Sequence, residues 1–279
     1  VRDQNNEVAV FNSLSSTPAT LEGSKACDAF GLMPGNEIQA SDACQAYVQA
    51  DFIGTRTRVE IPIEQWPQSW HDQGLKRPTV LLQKALYGHP DAGGMWERHC
   101  EAALIACGWK VIDNWSSMYW HNKHKCFLMV YVDDFKMAGP PAAMKVAWAD
   151  MRKGMGGHIG IDMDDPAPVS KCLGVNHTIG EKTLPNGVKV KTMTYDQVDF
   201  MKLCVKNYKD MTKVDKLKKV STPFMDDSLK SFIDNDSKPG ILSKVACSVL
   251  MQVLYGARTA RFDLLKVVQG LAAKVSKWT

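Results

Sequence analysis

What this sequence lacks narrows it first. In 279 residues no apolar run approaches the roughly 18 residues that a membrane-spanning helix needs, so no membrane partner is expected. The opening stretch VRDQNNEVAVFNSL has no apolar signal core. That argues against secretion and for an intracellular protein, cytoplasmic or nuclear. A first residue of Val rather than Met suggests a processed product or a fragment. Cysteine pairing is missing as well: the eight cysteines (27, 44, 100, 107, 126, 172, 204 and 247) show no C-x-x-C spacing. Buried, reduced thiols are therefore expected rather than zinc or disulfides. There is no internal repeat and no low-complexity tract, which excludes repeat arrays. Charge imbalance is small, and a formal +4 permits nucleic-acid contact without arguing for it.

What is present is ordinary globular material, 45 % hydrophobic and 23 % charged. The length allows one large domain or two smaller ones. A short strand is expected through Ile38–Ser41, followed by a turn or helix carrying Tyr47 and Val48. TRVEIPI (57–63) alternates like a strand, and TVLLQKALYG (79–88) reads as a strand closed by glycine. Trp96, Cys100, Ala103, Leu104 and Cys107 form an apolar helical stripe. SSMYWHNKHKCFLMVYV (116–132) reads as two strands joined at HNKHK, where His121 and His124 are expected at a wet hairpin tip. Pro140-Pro141 opens a helix running to about Gly154. SKCLGVNHTI and GVKVKTM are two more strands around the turn signal LPNG, and the chain beyond Thr194 turns helical. The last strongly amphipathic helix is expected from Leu242 to Leu254. Strands and helices mixed without regular alternation predict an α+β fold.

The stretch CFLMVYVDDFKMAG, 126–139, carries the main functional signal. Asp133 and Asp134 follow seven apolar residues, and FKMAG resumes an apolar-polar alternation, so a β-hairpin with the acidic pair at its tip is expected. Acidic pairs at turns usually just face water. Asp164-Asp165, Asp226-Asp227 and the DND at 234–236 sit in polar, breaker-rich surroundings and read as solvated loops. Only Asp133-Asp134 has a buried strand leading in, and burial makes charge demand a partner. Such a pair suits a hard divalent cation such as Mg²⁺. Two ions about 4 Å apart serve phosphoryl transfer. A third carboxylate is then required, and Asp42, at the end of EIQAS, is the candidate.

A second signal is a lysine series, Lys202, Lys206, Lys209, Lys213 and Lys216, within an arc of about 80° at helical spacing. It reads either as a solvated face or as a surface that tracks phosphates.

YVDD, 131–134, resembles the Y-x-D-D signature of reverse transcriptases. SDACQAY resembles their upstream element, in which an Asp precedes an aromatic residue by five positions, here Asp42 and Tyr47. More narrowly, the chain is similar to the polymerase of Ty1/copia-type retrotransposons. LLQKALYGHPDAGGMWERHC, KCLGVNHTI, VSTPFMDDSL and LMQVLYGARTARFDLLKVVQGLAAKVSKW resemble that family's blocks, in the family's order. The resemblance implies a polymerase palm with an antiparallel sheet and packed helices, a thumb-like helical region, and fingers largely missing. Residues 1–36 would be a remnant of the fingers, 37–180 the palm, and 181–279 a hairpin, connector and thumb-like helices. It implies catalytic, metal-holding Asp42, Asp133 and Asp134 with two Mg²⁺ ions (Mn²⁺ as an alternative). Tyr47 would disfavour ribonucleotides, with Tyr131, Gln83, Lys84 and Tyr87 near template and nucleotide. The partners implied are an RNA or DNA template with its primer, deoxynucleoside triphosphates, and other Pol domains such as integrase and RNase H. A virus-like particle in the cytoplasm, or the nucleus, would be the setting.

The chain departs from the family's LKQAPRAW, reading HPDAGGMW. Asp91 replaces a Gln and Gly94 an Arg, so any template or nucleotide contact by those two family side chains is lost here. TARFDL stands for TRPDI, and only 41 residues precede Asp42. Two further readings stay open: a decayed or truncated remnant that only binds nucleic acid, and another palm-type nucleotidyl transferase such as a cyclase.

Overall fold

The computed structural model describes residues 16–219 and 239–278. They fall into two compact units, 1–169 and 170–279, so the strand at 175–183 is counted with the second. The pairs at 226–227 and 234–236 and the VSTPFMDDSL block from residue 220 onward lie outside the described residues.

Chain order in the first unit is α1 (Leu21–Gly31), β1 (Glu37–Asp42), α2 (Ala46–Gln49), β2 (Arg58–Glu60), α3 (Gln68–Asp72), β3 (Thr79–Leu81) and α4 (Ala92–Ala106). Then come β4 (Trp109–Ile112), β5 (Trp115–His121), β6 (Cys126–Tyr131), β7 (Asp134–Gly139), α5 (Pro141–Lys153) and β8 (Ala167–Pro168). Six strands make one antiparallel sheet in the order β4-β5-β6-β7-β1-β8.

The sheet is sandwiched, which explains the unbroken apolar run of β6: five of its six residues are buried, too many for a strand with one wet face. On one face Leu128, Val130, Phe135 and Met137 join Trp96, Cys100 and Leu104 of α4 and Met144, Trp148 and Met151 of α5 in a single apolar cluster. Burying each such large side chain contributes about 1.5–3 kcal/mol. The opposite face is covered by α1, which packs on β1, β6 and β7. There Gly31 lets the helix approach closely: a Cβ at that position would stand 2.1 Å from Ile38 Cγ1. Thr20 caps α1, its hydroxyl accepting from the Gly23 N–H at 3.1 Å. α5 opens on Pro141 and closes at Gly154, φ 74°, as proline and glycine favour at those ends.

The α1 face also buries a charge pair. Lys136 Nζ donates to Asp28 Oδ1 and to Ser24 Oγ, each at 2.7 Å, and both charged side chains are almost wholly buried. A lone Lys there would be untenable; paired and hydrogen-bonded it is tolerated.

Several sequence expectations change. TRVEIPI is a strand only over Arg58–Glu60, because Pro62 offers no N–H to a ladder. TVLLQKALYG keeps only Thr79–Leu81 as strand. His121 is not at a wet tip. It is buried, its Nε2 3.0 Å from the Cys107 carbonyl and its ring edge-on to Trp109; the exposed tip residues are Asn122, Lys123 and Lys125. All eight cysteines are free thiols, six of them buried.

The second unit holds β9 (Lys171–Cys172), β10 (Val175–Thr183), β11 (Lys189–Asp196), α6 (Val198–Thr212), α7 (Ser243–Thr259) and α8 (Leu265–Ala273). The strands form a sheet in the order β11-β10-β9, and α7 packs on α6 and α8. α7 is thus not the last helix. The lysine series is also cut short: α6 ends at Thr212, Lys213 adopts the left-handed conformation at φ 59°, and only Lys202, Lys206 and Lys209 share the helix. Continuing it would stack Lys209, Lys213 and Lys216 on one face, and like charges at such spacing oppose helix. No helix among the described residues is long and apolar enough to cross a membrane.

Candidate active site

β6 and β7 form a hairpin whose register pairs Tyr131 directly with Asp134. The turn is therefore Val132-Asp133, one residue earlier than the acidic pair suggested, and Asp134 is already the first residue of β7. Across β7, Asp134 pairs with Asp42 of β1. Tyr131, Asp134 and Asp42 thus form one row over three strands. Direct cross-strand partners have Cβ atoms about 4.5–5.5 Å apart, so the two carboxylates are neighbours on one face, with Asp133 in the adjoining turn.

The turn is strained and then tied down. Val132 has φ 58°, which a β-branched residue adopts only at a cost of about 1–3 kcal/mol. Both carbonyls of the turn are held from outside it. The Trp96 indole N–H donates to the Val132 oxygen at 2.7 Å, and the Ala43 N–H donates to the Asp133 oxygen at 2.8 Å. Ala43 follows Asp42, so the second bond also fixes β1 against the turn.

Asp42 and Asp133 are exposed and Asp134 is half-buried. Burial pushes the Asp134 carboxyl up to about 6, and the charges of Asp42 and Asp133 and a hydrogen bond with Asp42 push the same way. No basic side chain among the described residues figures in that balance. The trio offers hard oxygen donors, and that chemistry suits a divalent cation bound by carboxylates and water. Among the described residues, no three or more His, Cys, Asp or Glu side chains are grouped so that they could hold a metal ion as they stand.

Tyr47, on α2, lies beside this trio. Its hydroxyl is pushed up first by burial, then by Tyr87 and by the charge of Asp133. Its ring rests against Tyr87 at 4.5 Å between centroids. Behind them, a cavity of about 20 Å³ lined by Tyr47, Trp96 and Val132 has room for about one water.

The other proposed contacts divide. Tyr131 is exposed at the end of β6, beside Asp134 in the register. Gln83 is exposed, its carbonyl accepting from the Phe52 N–H. Lys84 spends its charge on Asp51 at 2.7 Å and on the Gln49 carbonyl at 3.1 Å. Lys202 is paired with Asp199 at 3.0 Å. The Asp164 and Asp165 side chains are exposed, as expected of a loop, yet their backbone is docked. The Asp164 N–H donates to the Asp42 carbonyl, and the Ser41 hydroxyl to the Asp164 carbonyl.

Two residues escaped sequence reasoning. Trp96 stood out only as a member of an apolar stripe, with nothing to show that its N–H reaches the turn. Lys136 looked like the polar half of an alternation.

A family model described as reverse transcriptase (RNA-dependent DNA polymerase) matches residues 6–224. The chain therefore belongs to the reverse transcriptase family, in its Ty1/copia-type branch. The match ends before α7 and α8. No curated protein and no solved structure gives a significant match.

Proposed function

We propose that the chain carries out RNA-directed DNA synthesis: the primer 3′-hydroxyl oxygen attacks the α-phosphorus of a deoxynucleoside triphosphate, and pyrophosphate leaves. The observation that carries this reading is the row Tyr131–Asp134–Asp42 across three strands with Asp133 in the adjoining turn, in a chain of the reverse transcriptase family. Reverse transcriptases use divalent metal ions, template and deoxynucleotides. Bound Mg²⁺, or Mn²⁺, would activate the 3′-hydroxyl and offset charge on the phosphates.

Asp42 and Asp133, both exposed, are the residues best placed to ligate directly. Asp134, half-buried and hydrogen-bonded to Asp42, completes the acidic set. Tyr47, backed by Tyr87, offers the flat wall against which a deoxyribose would pack and a 2′-hydroxyl would clash. Gln83, Lys84 and Tyr131 line the approach for template and nucleotide. Lys202, Lys206 and Lys209 on α6, with Lys213 and Lys216 beyond its end, would follow the primer–template backbone by charge. In this reading residues 37–180 act as palm and 181–279 as a thumb-like region. Residues 1–36 would correspond to part of the fingers, and further Pol domains would be partners.

The test is template dependence. Labelled DNA primer on an RNA template, with all four deoxynucleotides and Mg²⁺, should lengthen in template order and stay unchanged without template. Cyclic nucleotide formed from a triphosphate with no template present would instead identify a cyclase.

A further inference from the structure

We propose that Trp96 is a positioning residue for the acidic site: its indole N–H fixes the Val132–Asp133 turn, so that Asp133 presents its carboxylate to a divalent cation beside Asp42. The inference rests on the reading of Asp42, Asp133 and Asp134 as a cation site, and goes beyond it by assigning its orientation to a residue of another element.

Four observations converge. The turn has two central residues, and Val132 sits in the left-handed region at φ 58°, which valine does not adopt unaided. The Val132 carbonyl receives the Trp96 indole N–H at 2.7 Å, so the strained peptide is held at its oxygen. Trp96 itself cannot drift: it is 2 % exposed, wedged into the α4–α5 face of the sheet, with His99 stacked on it at 5.8 Å. Finally, the next carbonyl is held by Ala43 at 2.8 Å, so the peptide bearing the Asp133 side chain is fixed on both sides. Remove the indole donor and one restraint is lost. The turn then relaxes toward a φ that suits valine, carrying the Asp133 carboxylate away from Asp42.

The restraint and the strain are two sides of one device, and this yields a test that packing alone cannot mimic. Glycine at 132 has no strain at positive φ, so it should need the indole less. Mn²⁺ binding, followed by electron paramagnetic resonance without nucleotide or primer, reads the site independently of turnover. Trp96→Phe should weaken Mn²⁺ about tenfold, as loss of an orienting partner of a metal ligand does. Adding Val132→Gly to Trp96→Phe should return the affinity to within about threefold of wild type. Replacing Trp96 by benzothienylalanine, which keeps the bicyclic shape and lacks only the N–H, should weaken binding as Trp96→Phe does. That variant guards against a folding defect in Trp96→Phe. Wild-type affinity in the benzothienylalanine protein, or no recovery in the double variant, would overturn the proposal. If the wild type binds no more Mn²⁺ than Asp133→Ala does, the cation-site reading fails and this inference with it.

Discussion

Replacing Asp134 by Asn should stabilise the metal-free protein at neutral pH, because the native fold holds this carboxylate where its charge is unfavourable. Its pKa rises from 3.8 to about 6, about two units, and each unit corresponds to about 1.4 kcal/mol between folded and unfolded states. The ceiling is therefore about 3 kcal/mol. Asp134 is only half-buried, and solvent screening brings the expected gain to about 1–2 kcal/mol. Folding raises this group's affinity for a proton, so the penalty is absent below about pH 4. It grows between pH 4 and 6, and is complete above pH 6. Asn keeps the hydrogen bond to Asp42 without the charge. At pH 7.5 in chelator, Asp134→Asn should melt about 2–8 °C above wild type, and the difference should shrink to nothing near pH 4. Adding Mg²⁺ should raise the wild-type melting temperature and leave the variant behind. A variant that is no more stable than wild type at pH 7.5, or whose advantage does not depend on pH, would refute the electrostatic account.

Other outcomes follow from the same structure. Lys136→Met alone should cost about 3–5 kcal/mol in urea melts by stranding Asp28, whereas Lys136→Met with Asp28→Leu should recover most of the loss. Tyr47→Val should raise the ratio of ribonucleotide to deoxynucleotide insertion by at least about tenfold in single-nucleotide extension, as opening a steric wall does. Lys206→Ala with Lys209→Ala should lower the slope of log affinity against log salt for primer–template by about 0.7–0.9 for each lysine that contacts phosphate, measured by fluorescence anisotropy.

Local pattern carried the centre of the fold. The apolar run at 126–132 pointed to a covered strand, which the structure has at Cys126–Tyr131, and with the polar breaks on either side it implied β5, β6 and β7 in order. The stripe from Trp96 to Cys107 marked α4, and Pro140-Pro141 with Gly154 marked the ends of α5. The acidic pair was visible for the same reason, since its setting differs from that of Asp164-Asp165. Asp42 was picked out as the carboxylate that ends the short strand EIQAS, and the resemblance pointed to it again; the register of β1 against β7 is what joins it to Asp134. Tertiary effects account for the misses. His121 reads as a polar tip residue, yet the Cys107 carbonyl and Trp109 draw it inward. Lys136 reads as solvent-facing until α1 brings Asp28 and Ser24 over it. Lys213 continues the helical spacing in sequence, but α6 ends one residue before it.

The central claim, that Asp42, Asp133 and Asp134 hold the cations that drive nucleotide transfer, is tested most directly by single-nucleotide primer extension on an RNA template across a Mg²⁺ titration. Wild type, Asp133→Ala and Asp42→Ala are compared under identical template and primer occupancy. The account predicts extension by the wild type that saturates with Mg²⁺. Each variant should extend at least about a hundredfold more slowly, with primer–template affinity retained. Extension by Asp133→Ala at the wild-type rate and the wild-type Mg²⁺ dependence would contradict it.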